Sequence, residues 1–504
     1  MDLDTLLSFK WSVMTPEFII LGVATVLSLL DIFMPSKAKG RKILGWIGFV
    51  GILAALASLL GLLHHDTVTI LYNTFRLDAY AKAFKILLLI GAALVMLLAI
   101  SYQPKTGMSE FRGEFYYLFL TALLGAMMMA SSGDLITLFV GLELLSISSY
   151  ILAGIRKNRL ESNESAMKYV ITGGISSAVT LFGMSYVFGL TGTTNLNDMT
   201  KVLAAIMDEQ QVYLLGLAFL MIFIGLSFKI ATAPFHMWAP DVYQGAPTPV
   251  TAFLSVVSKT AGFVIIIRVI LSIFANVPSE GPNSVSLLVN MQGYIAFLAG
   301  ATMIIGNVVA LRQRNIKRLF AYSSIAHAGY LLVAIAAMSF VMFDAMWFYL
   351  GAYLFMNLGA FAVIQLMTEA TDNEDIGQFA GLYRRSPVIA VSMGIFILSL
   401  AGIPATAGFI GKLNIFIGAL VQDHFVLASV MIATTVVSYF YYFGILTQMF
   451  LRPAPHDHGE IKVPVGTGIV IGICVIATLL FGIMPNIGLD FLHSNFDQFT
   501  DFLK

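Results

Sequence analysis

The stretch FKIATAPFHMWAPDVYQGAPTPV, Phe228–Val250, lies between two long apolar runs, VYLLGLAFLMIFIGLS before it and TAFLSVVSKTAGFVIII after it. Charged side chains are costly at membrane depth, and proline removes a backbone donor and breaks a helix. Lys229, Pro234, His236, Pro240 and Asp241 nevertheless fall together here, with Lys259 on the next apolar run. The stretch reads as a helix interrupted inside a bilayer. Such backbone is tolerated at depth only where it is buried in protein or lines a wet cavity.

The surrounding chain agrees with a lipid solvent. Its 504 residues are 58% hydrophobic and 11% charged, with a mean hydropathy of +0.87. A soluble protein of this length needs more polar surface. The formal net charge is zero, which argues against nucleic acid as a partner. The single cysteine, Cys474, sits in the apolar run VIGICVIATLLF and reads as a small hydrophobic residue of the lipid phase. No CxxC, no Cys/His cluster and no GxGxxG after a strand is present, so no metal, iron–sulfur or dinucleotide site is expected in this chain. Asp2 and Asp4 replace the basic start of a signal peptide, so the first apolar run is expected to be a retained helix.

Spanning helices need about 20 apolar residues, at about 1.5 Å per residue across a core of about 30 Å. Fourteen runs qualify: 15–34, 43–63, 82–101, 114–131, 134–155, 166–190, 212–243, 249–274, 286–309, 317–338, 342–368, 386–421, 424–451 and 464–484. The expected fold is therefore an all-α polytopic membrane protein. Lysine and arginine set its orientation. Of the 28, eighteen fall in or beside the loops after odd-numbered runs, including Lys37, Lys39 and Lys105, and only Lys10, Arg76, Lys201 and Lys504 fall on the other side. Both termini are expected on the outer side. The remaining six lie within helices. Lys82, Lys85 and Arg268 are near helix ends and are expected to snorkel to the headgroups, whereas Lys229, Lys259 and Lys412 are too deep to do so.

Two runs are too long to be ordinary. The run 386–421 would extend about 54 Å as a straight helix, and it contains AGIPATAGFIGK, where Pro404 and flanking glycines invite a break. Run 212–243 carries APFHMWAP in a similar place. A weak internal repeat relates the two. DLITLFVGLELLSISSY (134–150) matches NIKRLFAYSSIAHAGYL (315–331) in pattern, ESAMKYVITGGISSA (164–178) matches DAMWFYLGAYLFMNLGA (344–360), and Pro234 pairs with Pro404, at offsets of 181, 180 and 170 residues. Helices four to eight and nine to thirteen then form two copies of a five-helix unit, and an odd number of helices inverts the second copy. The expected divisions are 1–113, a three-helix segment; 114–275 and 276–452, the two repeats; and 453–504, the last helix and an amphipathic surface tail.

Glu143, Lys229, Lys259, His327 and Lys412 are ionisable residues near mid-depth or at a break. Each costs about 2.5–3.5 kcal/mol if charged and isolated at the bilayer centre. A static ion pair between Glu143 and one lysine would explain one pair, but not a line spread over both repeats. Proton movement needs groups whose affinity can be switched. Burial disfavours a lysine's charge and a nearby carboxylate restores it, so the Glu143–Lys229 separation can set how tightly the pair holds a proton. Moving one charge against about 150 mV costs about 3.5 kcal/mol. His236, beside Pro234, is open between a relay role and a structural one. Asp241 and Tyr243 are expected to cap the break, and Asp134 to be solvated near a helix end.

These segments carry a family resemblance. FKIATAPFHMWAPDVYQGAPTPVTAFLSVVSK, LFVGLELLSISSY and SLAGIPATAGFIGK together resemble the N-type antiporter-like subunits of bacterial proton-translocating NADH–quinone oxidoreductase, respiratory complex I. The resemblance covers essentially the whole chain. It implies Glu143 and Lys229 as a central ion pair, Lys259 as connecting lysine and Lys412 as exit-side lysine, with His327 and His236 as further relay candidates. Lysine rather than glutamate at position 412 favours N over the sister subunit M. The resemblance also implies that NADH, FMN, iron–sulfur clusters and quinone are bound by other subunits. The neighbours would be membrane-arm subunits M, K, J, A, H and L in a bacterial plasma membrane. Rival expectations are a sodium–proton antiporter subunit, a membrane-arm subunit of an energy-converting hydrogenase, and a structural scaffold.

Overall fold

The structure is a computed structural model, which describes residues 3–34, 41–103, 111–205, 208–279, 285–371, 373–453, 461–496, 499 and 501–502. Lys37, Lys39, Lys105 and Lys504, used above for orientation, lie outside the described residues. Thirteen helices are long and apolar enough to cross a membrane. They are α1 (Trp11–Phe33), α2 (Lys42–Gly61), α3 (Ala79–Ser101), α4 (Arg112–Ala130), α5 (Leu135–Ala153), α6 (Leu160–Thr191), α7 (Glu209–Ile230), α8 (Thr248–Phe274), α9 (Leu287–Ala310), α10 (Ile316–Ala337), α11 (Met342–Glu369), α13 (Phe425–Leu451) and α14 (Val465–Ile483). The twelfth expected run, α12, is two shorter helices, Pro387–Ala401 and Ala407–Val421. Helix α7 likewise resumes after a gap as Trp238–Gly245.

Helices α3, α8, α10 and α11 are almost entirely enclosed, while α1, α2, α6, α9, α13 and α14 present apolar side chains such as Phe33, Phe297 and Phe440 outward. Lys259 and His327 lie on two of these enclosed helices, α8 and α10, whereas Lys229 and Lys412, themselves buried, belong to α7 and α12. One feature escaped the sequence reading: a short antiparallel hairpin, Val68–Ile70 with Phe75–Leu77, turning through Leu71, Tyr72 and Asn73 at positive φ. It is too brief to carry a readable alternation.

Polar contacts repeat along the chain at a fixed interval. Asp134 bridges Asn195, with Leu135 N bonded to Thr194 O at 2.9 Å and Leu196 N to Gly133 O at 2.9 Å. Asn315 bridges Asp375, with Ile316 N bonded to Glu374 O at 2.8 Å and Ile376 N to Arg314 O at 2.9 Å. Every residue of the second set lies 181 or 180 positions after its counterpart. The helix pairs behind them correspond as well. A Cβ on Gly125 would lie 2.6 Å from Leu145 N, and one on Gly306 would lie 2.6 Å from Ala326 N, again 181 positions on. Only glycine lets backbones approach this closely.

Several expectations need correction. Lys85 does not snorkel: it is fully enclosed and paired with Glu17 of α1. Arg268 is also enclosed, in a two-pronged bond to Asp78 at 2.8 and 2.9 Å. Both were misread because helix-end position says nothing about which face points inward. Lys82 donates to the carbonyls of Leu63 and His65 at 3.2 and 2.7 Å. Asp134 is buried rather than solvated and caps α5 by accepting from Ile136 N and Thr137 N. Asp241 caps nothing; it pairs with Lys168 at 2.6 Å and Arg318 at 2.5 Å, tying α6 to α10. Cys474 is a buried free thiol within the helix packing.

Candidate proton-relay site

Helix α7 stops at its last turn because Ala231 enters the left-handed region at φ 58 and Pro234 follows through a cis bond. The freed backbone groups find partners: Thr232 N bonds Ser227 O at 3.1 Å, Ala233 N bonds Thr302 Oγ1 at 3.0 Å, and Trp238 Nε1 bonds Phe228 O at 3.0 Å. Lys229, in that last turn, is buried and donates from Nζ to Ser146 Oγ at 3.1 Å. Ser146 sits one turn along α5 from Glu143, whose Oε1 accepts from Ser177 Oγ at 2.5 Å. Glu143 and Lys229 are thus neighbours across a serine, not a direct ion pair. The stem of Lys229 also packs on Gly262 of α8, where a Cβ would meet its Cγ at 3.3 Å.

Helix α8 carries a π-helical turn, Leu254–Ser258, directly before Lys259. Such turns re-aim a side chain by inserting a residue into the ladder. Lys259 Nζ reaches α10, donating to Ser324 O at 2.5 Å and to Ser324 Oγ. Tyr243 OH lies 3.2 Å from the same Oγ. One turn further along α10, His327 is held by two phenols, Nδ1 to Tyr349 OH at 2.5 Å and Nε2 to Tyr442 OH at 3.2 Å. Tyr442 OH also meets Ser323 Oγ at 2.5 Å.

At the second break, Gly402 adopts φ +84 and the first half of α12 ends. Lys412, from the second half, folds back and donates to Leu400 O at 2.9 Å and Ala401 O at 3.1 Å. A cation at exposed C-terminal carbonyls completes a helix end and suits its dipole. The backbone angle favours glycine there, and a Cβ on Gly402 would crowd Lys412 Nζ at 3.2 Å. Lys412 Nζ also stands 4.9 Å from the Tyr330 ring centroid, and a cavity of about 180 Å³ opens beside it, lined by Phe409, Thr435 and Tyr439.

His236 lies buried in the first break, 6.4 Å edge-on from the Tyr322 ring. No side-chain hydrogen bond joins it to the lysines. Its place on the path is the weakest of the six expected residues. Sequence reading missed the hydroxyls Ser146, Ser177, Ser324, Tyr349 and Tyr442, and read Tyr243 as a cap where its hydroxyl meets Ser324. A signal existed: a shift of 181 carries Glu143 onto Ser324 and Ser146 onto His327. Glu143, Ser146, Ser324 and His327 therefore occupy two equivalent places on α5 and α10.

Residues 132–438 match the family model described as NADH:quinone oxidoreductase/Mrp antiporter, TM. A protein named NADH-quinone oxidoreductase subunit N, from Geobacillus sp. strain WCH70, is 64% identical over 98% of this chain and all of its own length. The chain belongs to the subunit N family of NADH-quinone oxidoreductases. Among solved structures, respiratory complex I from Thermus thermophilus with bound aureothin contains a chain 31% identical, covering 94% of this chain and 99% of its own, with a TM-score of 0.78. A chain of the Mrp complex from Dietzia sp. DQ12-45-1b matches with a TM-score of 0.84 over 98% of this chain and 100% of its own, at 19% identity. That second likeness shows a shared fold alone. Fold does not separate the subunit N family from antiporter subunits; sequence identity does.

Proposed function

We propose that this chain is a proton-translocating membrane-arm subunit of complex I in the bacterial plasma membrane, carrying protons through the line Glu143, Lys229, Lys259, His327 and Lys412. NADH oxidation and quinone reduction take place on other subunits, which hold the FMN, iron–sulfur clusters and quinone. Its partners are the other membrane-arm subunits, M, K, J, A, H and L among them.

The observation that carries the reading is a contrast between two kinds of buried base. Lys85, Arg268 and Lys317 each meet a carboxylate: Glu17, Asp78 and Glu374. Lys229, Lys259 and Lys412 donate instead to serine hydroxyls and backbone carbonyls; Lys82 also meets carbonyls, but near a helix end and away from this line. A charge used as a bolt is stabilised by a buried counter-ion. A group that must gain and lose a proton is better served by dipoles, which tolerate both its forms. The hydroxyls around it can donate or accept as the proton passes.

The recurring contacts at 181 and 180 residues support two five-helix units, 114–275 and 276–452, of opposite orientation. The first set gathers beside the hairpin, and the second gathers beside Lys317, Arg318 and Glu374. Each unit then supplies one half of the path, joined where Lys259 meets Ser324. Tyr243 shares that junction, and its neighbour Gln244 lines a polar cavity of about 230 Å³ together with Arg156, Lys317, Glu369 and Glu374.

NADH-driven acidification of inverted membrane vesicles tests the junction. Lys259→Ala is expected to leave the complex assembled and reduce proton uptake at least about tenfold, the effect of about 1.4 kcal/mol of added barrier. Normal uptake with lost sodium–proton exchange would instead support an antiporter subunit. Normal uptake with no other deficit would support a scaffold.

A further inference from the structure

The relay uses none of the charges at the far end of α8, yet these form a dense buried cluster. Asp78, the cap of α3, is fully enclosed and grips Arg268 through both oxygens, at 2.9 and 2.8 Å. Its Oδ1 also accepts from Ala81 N at 2.7 Å, and its Oδ2 lies 3.2 Å from Arg76 Nε. Arg268 donates further to Ala130 O at 2.8 Å. A segment from the chain's far end then closes over the cluster. Asp501 Oδ2 accepts from Ala79 N at 2.9 Å and from Thr67 Oγ1, and Asp501 O accepts from Arg76.

Phe502 completes the lid. Its ring centroid is 4.8 Å from Tyr80 and 5.3 Å from Phe343, and the Arg268 guanidinium lies 5.3 Å from it and 4.9 Å from Tyr80. Tyr80 OH donates to Val264 O at 2.9 Å, so the packing continues down α8 between Arg268 and Lys259. Val264, Ile267, Tyr80 and Phe502 are all buried. By the loop charges, this end of α8 faces outward, about 13 Å along the helix from Lys259.

That distance poses a problem for any pump whose junction lysine changes protonation. A water column along α8 would connect Lys259 with the outer face, and the membrane potential would drive protons back through it. We infer that the Asp78–Arg268–Arg76 cluster, closed by Asp501 and Phe502, is an outer-side seal that insulates Lys259 and leaves lateral transfer to His327 and Lys412 as the open route. Arginine suits the position because its charge is permanent and it cannot relay a proton by losing one. Its two-pronged bond also holds Asp78 in place as an ionised acceptor, and the aromatic lid excludes water. The inference rests on Lys259 carrying a proton in the proposed function, but it makes an opposite prediction: a broken relay blocks pumping, whereas a broken seal leaks.

The test reads passive proton flux through proteoliposomes holding the whole complex, under an imposed pH gradient and without NADH. The variants are Phe502→Ala, a chain ended before Phe499, and the double exchange Asp78→Asn with Arg268→Met, each with and without Lys259→Ala. Phe502→Ala leaves every ion pair in place and so tests the lid where the double exchange fails to assemble. The expected result is a flux raised at least about tenfold and returned to the unmodified level by Lys259→Ala. Unchanged flux in assembled variants overturns the inference, as does a raised flux indifferent to Lys259→Ala. Pumping that survives Lys259→Ala alone contradicts the relay reading, a separate outcome.

Discussion

Lys412 and Gly402 illustrate how one side chain and one backbone angle depend on each other. The lysine satisfies two carbonyls that the break exposes, Leu400 O and Ala401 O, and the glycine provides both the turn and the space for its ammonium. Gly402→Val places a β-branched residue at φ +84, at a cost of order 1–3 kcal/mol, and displaces Lys412. Its expected consequence is loss of NADH-driven proton uptake, measured in inverted vesicles, alongside a lower level of assembled complex. Tyr442→Phe asks for less. It keeps the ring and removes the hydroxyl shared by His327 and Ser323. The complex should assemble normally and pump several-fold more slowly, and a rate equal to the unmodified enzyme would exclude that hydroxyl from the path. The residue types at 229, 259, 327 and 412 were legible in sequence because charge at membrane depth is conspicuous. Their hydroxyl partners were not, since serine and tyrosine are common in membrane helices and carry no depth signal of their own.

Broken helices are legible for a related reason. A run of 212–243 or 386–421 is too long for the bilayer, and its proline marks the interruption. Sequence does not give the rotation of a helix about its axis, which is why Lys85 and Arg268 were assigned to the headgroups rather than to Glu17 and Asp78. It also does not show which residues break the ladder inside α8, where the π turn aims Lys259 at Ser324. Element pairing makes a symmetric prediction. Gly125 and Gly306 stand at equivalent crossings, with partner backbone nitrogens 2.6 Å from a hypothetical Cβ in each. Gly125→Val and Gly306→Val should therefore lower the amount of assembled complex in native gels to a similar degree, by the 1–3 kcal/mol typical of overpacking or more. A severe effect of one and none of the other would contradict the equivalence of the two units.

At the scale of the molecule, the buried bases divide by partner. Lys85, Arg268 and Lys317, bonded to carboxylates, bind helices together; Lys229, Lys259 and Lys412, bonded to hydroxyls and carbonyls, line the centre, and Lys82 ties the end of α3 to the carbonyls of Leu63 and His65. The two classes predict different losses. Arg268→Ala leaves Asp78 enclosed without its main partner, which costs about 3–5 kcal/mol, so assembled complex should fall sharply. Lys229→Ala removes a donor from Ser146 and leaves Glu143, which is half-buried, with its bond from Ser177, so assembly should survive. The all-α membrane class and the positions of most spanning helices were readable because hydropathy accumulates over the whole chain. The hairpin and the closing segment at Asp501 and Phe502 were not readable, because their partners are more than 400 positions away in the case of Thr67 and Arg76.

The most direct measurement is the ratio of protons moved to electrons delivered in vesicles bearing Lys229→Ala, with assembly and NADH oxidation measured on the same preparation. The relay account predicts an assembled complex whose proton movement and coupled NADH oxidation both fall at least about tenfold. An assembled complex with an unchanged ratio and unchanged turnover would contradict it.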